Sequence, residues 1–600
     1  MTVDPYALLA QSWGQTPVGA SPDLRRILSL PTRHHTPEAL EQLCDAWTNF
    51  LRAPGGTQRL LPPQAQALAE IFAVKGGFCP VRVGGGKTLI SFLASVVLGA
   101  VRPVLFVPAG LVEKTRRDLQ DAARHWRVPF NLHVMSYEHM GRESNAGELD
   151  VRAPDLMIFD ECHRLKNPKA AVTKRVKRYV KKHRPRVVML SGTMVSNGVS
   201  DCAHLAEWAL HEGSPFPIEH HTIRDWASAL DEKVRPGTRK ALGALEVLTP
   251  PGQWPTLENV RKGVFVRMNA TPGVVSTAGE QVACGLELTP QEVILGEPAQ
   301  ALFKRLREKC ENPDGVSIAE PMLVWALANQ LAMGFHYYLD PAPPEVWLVT
   351  RAAWATYARG ILQASRGKYD TEKQVRTAVE RGELTDPLVR PDLLLQQWTI
   401  ANAGYFGTHK FRWHDRTLLD AAIAWTVAHP EPTLIWTWHS AFGRQLAHML
   451  KVPYVGAKGM TEDGRLVDDI RGETSCVLSI AANMQGRNLQ AWGQNLVCAP
   501  PTKGKDWEQL LGRSHRLGQT RDVVTCTILA SCREHFRAIA RAHSSSRMTR
   551  HLMGASQKLL QATWTDVLPD TVKPYPSHRP QADGDHDEWD EYEITALYTD

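Results

Sequence analysis

The sequence predicts an α/β protein with two parallel-sheet lobes and a largely helical insertion between them. Three observations carry that prediction. Short apolar runs alternate with longer helical stretches from Leu60 to about Trp208 and again from Leu434 onward. The apolar runs stop at polar or glycine-containing turns, where parallel sheets bind ligands. The 600 residues exceed what one hydrophobic core serves, so roughly three or four domains are expected.

Taken in order, Thr36-Pro37 followed by Leu40, Leu43, Cys44, Trp47, Phe50 and Leu51 reads as an N-capped amphipathic helix, a packing element within an extension over 1–57. Ala53-Pro54-Gly55-Gly56-Thr57 breaks it. A first lobe over 58–270 should contain strands at Val104–Val107, Leu156–Phe159 and Val187–Leu190. The segment 271–430 reads as a mainly helical insertion leading into the second lobe. In it Trp347, Arg351, Trp354 and Ala358 fall at helical spacing, which favours core packing over base stacking. A second lobe over 431–565 should carry strands at Leu434-Ile435-Trp436, Val477–Ile480, Leu496–Cys498 and Val523–Leu529. Prolines and acids dominate 566–600, so an acidic, weakly ordered tail is expected.

Composition excludes several classes. With 43% hydrophobic and 22% charged residues the chain is neither disordered nor fibrous. The longest apolar stretch, Leu89 to Val101, falls short of the ~20 residues that span a bilayer. Asp4 precedes any basic residue and no apolar leader follows, so an intracellular protein without a membrane partner is expected. The ten cysteines contain no CxxC pair and read as buried free thiols rather than a zinc site. The net charge of +6 is mild, but it is segregated: Arg164 to Arg186 holds eleven Lys or Arg and no acid, while Asp583 to Asp600 holds eight acids and no Lys or Arg.

The chemistry lies in short motifs. Gly84-Gly85-Gly86-Lys87-Thr88 precedes a helix-like run. Its glycines let backbone wrap phosphates, Lys87 reaches the terminal phosphates and Thr88 can bind Mg²⁺. Asp160-Glu161-Cys162-His163 follows a strand and offers two carboxylates: Asp160 for the metal and Glu161 to polarise an attacking water. Leu190-Ser191-Gly192-Thr193 ends another strand in hydroxyl residues able to couple that turn to the other lobe. In Gln509-Leu510-Leu511-Gly512-Arg513-Ser514-His515-Arg516, two arginines at i and i+3 suit a γ-phosphate approached from the second lobe.

In this order the motifs resemble those of superfamily 2 helicases, and more narrowly the Swi/Snf-type DNA translocases. Leu60-Leu61-Pro62-Pro63-Gln64 resembles the family's adenine-reading motif, which implies that Gln64 reads adenine. Phe106-Val107-Pro108 and Ser136-Tyr137-Glu138 look like strand-end motifs that touch nucleic-acid backbone. The acid box running through His163 into Arg164-Leu165-Lys166-Asn167 is typical of the Swi/Snf branch. Gly486-Arg487-Asn488-Leu489 is similar to the fifth motif, and Gln509 to Gln519 to the sixth. The resemblance covers 58–210 and 430–530; Met194, Gly85 and Cys162 depart from its usual residues. Gly334-Phe335-His336-Tyr337-Tyr338 looks like a stretch of phage-encoded members, which would place the protein in a bacterial host's cytoplasm, free or associated with the nucleoid.

The resemblance implies two RecA-like P-loop lobes, ATP with Mg²⁺ in the cleft between them, and DNA, in the first place duplex, lying across both. It implies Lys87, Asp160, Glu161, Gln509, Arg513 and Arg516 as catalytic residues, with Gln64, Gly84, Gly85, Gly86, Lys87, Thr88 and Gly486 on nucleotide. Thr88 and Asp160 would hold the metal; His163, Ser191 and Thr193 would couple the lobes. Pro108, Ser136, Tyr137, Lys166, Asn167 and Asn488 are the nucleic-acid candidates. An RNA or strand-separating DNA helicase is the alternative track. A hydrolysis-dead scaffold is the alternative class, opposed by retention of every charged residue that catalysis needs.

Overall fold

The computed structural model describes residues 16–81, 85–192, 194, 198–231, 234, 238–277, 284–315, 321–365, 368–369, 371–386, 388–484, 486–516, 518–553 and 557–565. Gly84, Thr193 and the tail 566–600 lie outside the described residues.

The first sheet contains β1 (Gly77–Cys79), β2 (Pro103–Val107), β3 (His133–Ser136), β4 (Leu156–Asp160) and β5 (Arg186–Leu190), in the order β1-β5-β4-β2-β3, with every pairing parallel. Strand side chains alternate between faces, so each strand feeds two cores. Phe106, Met157, Phe159, Val187 and Met189 join one cluster, while Leu105, Val107, Ile158, Val188 and Leu190 join the other with Leu68, Ile71, Ile90 and Leu93. Burial on both faces explains why these strands read as uninterrupted apolar runs. The helix expected after Thr36 forms over Pro37–Leu51, preceded by another over Pro22–Ser29, with the Thr36 side chain accepting from the Ala39 N–H at 3.2 Å.

Further along come β6 (Gly285–Glu292), β7 (Phe335–Asp340), β8 (Thr408–Trp413), β9 (Thr433–Thr437), β10 (Tyr454–Val455), β11 (Cys476–Ser479), β12 (Gln494–Val497), β13 (Val523–Ala530) and β14 (Thr563–Trp564). The second sheet has the order β10-β11-β9-β12-β13-β6-β14 and is parallel throughout.

This corrects the placement of 271–430 between the lobes, because β6 lies inside the second sheet and pairs with β13 along its whole length. Residues 293–306, 327–335 and 418–425 also pack on that sheet, in a cluster joining Leu295, Phe303, Leu331 and Leu418 to Ile435 and Val477. Pro290 is tolerated in β6 because β14 pairs only with Glu287 and Leu288, which leaves the rest of that side an edge where proline's missing N–H costs nothing.

What stands apart is the segment carried by the antiparallel pair β7–β8. Its helices Glu345–Ala364, Glu372–Glu380 and Pro391–Ala403 have a core of their own, made of Trp354, Ala358, Val375, Ala378 and Leu395. The tryptophan spacing is thus a packing stripe, and Arg351 lies over the Trp347 ring at 5.0 Å. All ten cysteines are free and nine are buried. Among the described residues no helix is long and apolar enough to cross a membrane.

Candidate functional site

The site gathers at the carboxyl ends of β1, β5 and β4, the edge where open parallel sheets hold ligands. After β1 the chain passes the glycine run and enters the helix Lys87–Val97, with Gly86 as N-cap at φ +76°. A left-handed cap suits glycine, and here the space demands it as well: a Cβ on Gly86 would lie 2.0 Å from Gln64 Nε2. Gln64 therefore sits directly against the glycine run. Its Oε1 accepts from the Leu61 N–H at 2.8 Å, which fixes the side chain at the start of the helix Pro62–Val74. Lys87 is buried in the first helical turn and Thr88 is half-buried beside it.

Asp160 closes β4 and Glu161 follows at φ +56°, a left-handed conformation that costs a residue with a Cβ about 1–2 kcal/mol. The peptide between these carboxylates is held at both polar atoms. Its N–H donates to Asp160 Oδ1 at 3.0 Å and its carbonyl accepts from the Tyr137 hydroxyl at 2.8 Å.

Glu161 turns toward β5. Its Oε2 accepts from the Ser191 hydroxyl at 3.3 Å, and His163 Nδ1 lies 3.3 Å from the same oxygen and 3.0 Å from Ser191 Oγ. Burial pushes His163 down to about 4, so at neutral pH it gives Glu161 a hydrogen bond rather than a charge.

The two carboxylates are driven apart in acidity. Burial and the charge of Glu161 raise Asp160, offset in part by Lys87. Burial would raise Glu161 too, but the His163 hydrogen bond and the charges of Lys87 and Arg513 outweigh it and hold Glu161 low. One ionised carboxylate beside one that prefers a proton or a cation is the arrangement of a base next to a metal ligand. Thr88 and Asp160 supply the hard oxygen donors that suit Mg²⁺.

Arg513 comes from the other sheet, on the buried helix Gly504–Ser514. Its Nε donates to the Gln509 carbonyl at 2.8 Å and its Nη1 to the Arg487 carbonyl at 3.1 Å, the carbonyl that Arg516 Nη1 also reaches, at 3.3 Å. Burial and Arg516 lower Arg513 to about 10, so it stays charged at neutral pH. Lys505 of the same helix bears on His163.

The structure thus brings Gln64, Gly86, Lys87, Asp160, Glu161, His163 and Ser191 into one place, with Arg513 near enough for its charge to act on Glu161. Arg487, which stands in the fifth-motif stretch but was expected to have no role of its own, supplies the carbonyl to which Arg513 and Arg516 donate. Its guanidinium pairs with Asp468 at 3.0 Å and reaches the Lys458 carbonyl, which fixes the carbonyl that both arginines use. No signal in the sequence marked Asp468.

The residues expected on nucleic acid are scattered in role. Ser136 caps the short helix after β3 by accepting from the His139 N–H at 3.0 Å. Tyr137, 1% exposed, is turned into the core, where its ring stacks near Phe159; buried there, it is not presented to a polymer as the sequence reading had it. Pro108 is buried and Lys166 half-buried. Asn167 accepts from the Lys169 N–H at 2.8 Å, and exposed Asn488 accepts from Arg516 Nη1 at 2.6 Å. Of the basic run, Arg175 is buried with Nη1 on the carbonyls of Met140 and Arg142, so part of it is structural. Compared with known proteins, the chain matches no family model and no curated protein.

Proposed function

We propose that the protein is an ATP-hydrolysing motor of the superfamily 2 helicase type, built on two RecA-like lobes, and that it moves along duplex DNA in the manner of the Swi/Snf-type translocases. The observation that carries this reading is the convergence of Lys87 at a helix start and the Asp160–Glu161 pair on one sheet edge, with Arg513 of the second sheet acting on Glu161.

In this reading Gln64 reads adenine, Lys87 and the helix N-terminus hold phosphates, and Thr88 and Asp160 hold Mg²⁺. When bound, the cation neutralises phosphate charge. Glu161, held low and fixed by Ser191 and His163, takes the proton of the water that attacks the γ-phosphorus. Arg513 and Arg516 leave the Arg487 carbonyl for the γ-phosphate as the lobes close. Each turnover then resets the distance between two lobes that both grip backbone.

The test is ATP turnover with Mg²⁺ at one fixed salt concentration, with no polymer, duplex DNA, single-stranded DNA or RNA. Stimulation by duplex DNA is expected. Stimulation only by single strands or RNA moves the reading to a strand-separating or RNA helicase, and no turnover under any condition leaves a scaffold. Lys87→Ala should abolish turnover, while Glu161→Gln should bind ATP and lose about a hundredfold or more in kcat.

A further inference from the structure

The geometry points to Tyr137 as a positioning residue for hydrolysis, one that acts through the Asp160–Glu161 peptide and not on a polymer. The inference rests on the proposed ATPase reading. It begins from a residue whose place in the sequence, between Ser136 and Glu138 at the end of β3, suggested a backbone contact with nucleic acid.

Burial and bonding place Tyr137 elsewhere. The ring lies in the first lobe's core against Phe106 and Phe159, and its hydroxyl donates to the Asp160 carbonyl at 2.8 Å. That carbonyl belongs to the peptide whose N–H is held by Asp160 Oδ1. A peptide gripped on both sides cannot rotate, and rotation is what would let Glu161 relax from φ +56° toward an ordinary conformation. Relaxation would swing the Glu161 carboxylate away from Ser191 and His163 and would turn the Asp160 side chain with it. The tyrosine hydroxyl thus fixes the two carboxylates relative to each other.

The next residue ties this clamp to another loop. Glu138 accepts from the Ala109 N–H at 2.8 Å and lies 3.7 Å from Arg164, just beyond the carboxylate turn. Any ligand that shifts the loop after β2 therefore pulls on the segment that carries Tyr137.

Tyr137→Phe keeps the ring and removes only the donor. With intact protein, kcat should fall about tenfold at unchanged KM for ATP, which is the loss of roughly one hydrogen bond from the transition state. Duplex affinity should stay within twofold, and the thermal midpoint should fall by no more than a few degrees. A readout independent of turnover is the binding of a non-hydrolysable ATP analogue. Affinity without Mg²⁺ should be unchanged, and the gain on adding Mg²⁺ should shrink about threefold as Asp160 loses its orientation. Wild-type kcat and Mg²⁺ gain in the variant would overturn the inference, and so would weaker duplex binding with turnover at saturating duplex unchanged. Failure of the wild-type protein to hydrolyse ATP would instead sink the reading beneath it.

Discussion

At the scale of single residues, Gly86 shows how little freedom the glycine side of the candidate site has. Its φ of +76° disfavours any side chain, and the first carbon added there would meet the Gln64 amide, itself held by Leu61. Gly86→Ala should therefore raise KM for ATP about tenfold by expelling Gln64. Added to Gln64→Ala it should cost much less than alone, because the collision partner is already gone. Steady-state titrations of the two single variants and the double variant decide this.

Buried histidines set the acid limit. Burial lowers His163 to about 4, His439 to about 3 and His535 to about 4, all below the value in an unfolded chain. Between pH 4 and 6.5 the unfolded state then binds protons that the native state refuses. Their contribution is complete above about 6.5 and is lost as pH falls, at about 1.4 kcal/mol per pH unit for each group. Asp231 opposes them: burial raises it to about 7, so its contribution is complete at acid pH and is lost as pH rises. Denaturant unfolding across this range should show a net loss of stability toward acid. The slope should flatten in His535→Leu and steepen in Asp231→Asn.

At the scale of elements, the segment between β7 and β8 behaves as a graft. Asp340 and Thr408 are directly paired at its base, and its core residues cluster among themselves. Outside the hairpin it reaches the first lobe where Lys174 Nζ donates to the carbonyls of Leu362 and Tyr369, at 3.3 and 3.5 Å. Replacing 341–407 by Asn-Gly, which suits a two-residue hairpin, should leave a folded protein with basal ATP turnover within twofold of the parent. A melt without a cooperative transition would show that the lobes depend on it.

The same elements show what the sequence could convey. The helix start at Lys87 and the acid box after β4 were legible as neighbours because each is a short contiguous stretch set at the end of an apolar run. The strands before Asp160 and Ser191 were legible because burial on both faces leaves them wholly apolar. By contrast β6, Gly-Leu-Glu-Leu-Thr-Pro-Gln-Glu, is apolar on one face only and contains a proline, so its membership of the second sheet is a long-range fact. The inward turn of Tyr137 was not legible, because a tyrosine at a strand end can turn outward or inward and only the Asp160 carbonyl decides which.

At the scale of the molecule, the two sheets are joined beside the Asp160–Glu161 turn and again along the last long helix. Arg513 bears on Glu161, the helix Arg533–Met553 sends Met548 into the first lobe's core, and His551 lies 3.5 Å from Glu258. Leu111, just past the loop after β2, packs against Gly486, whose φ is +69°; a Cβ there would lie 2.2 Å from Leu111 Cδ2. Gly486 is adjacent to Arg487, so whatever separates Leu111 from Gly486 also carries the carbonyl to which both arginines donate. Gly486→Ala should hold the lobes apart. In the proposed reading ATP is held chiefly by Gln64, Lys87 and Thr88, while Gly486, which the resemblance also puts on nucleotide, has its Cβ position against Leu111; ATP binding should therefore change less than twofold, while kcat falls about tenfold because Arg513 no longer arrives. Leu111→Ala alone should have a small effect, and the double variant should regain most of the lost rate, since the added methyl then has somewhere to go. A double variant as slow as Gly486→Ala would place the defect in the strained backbone of Gly486 and not in the contact between lobes.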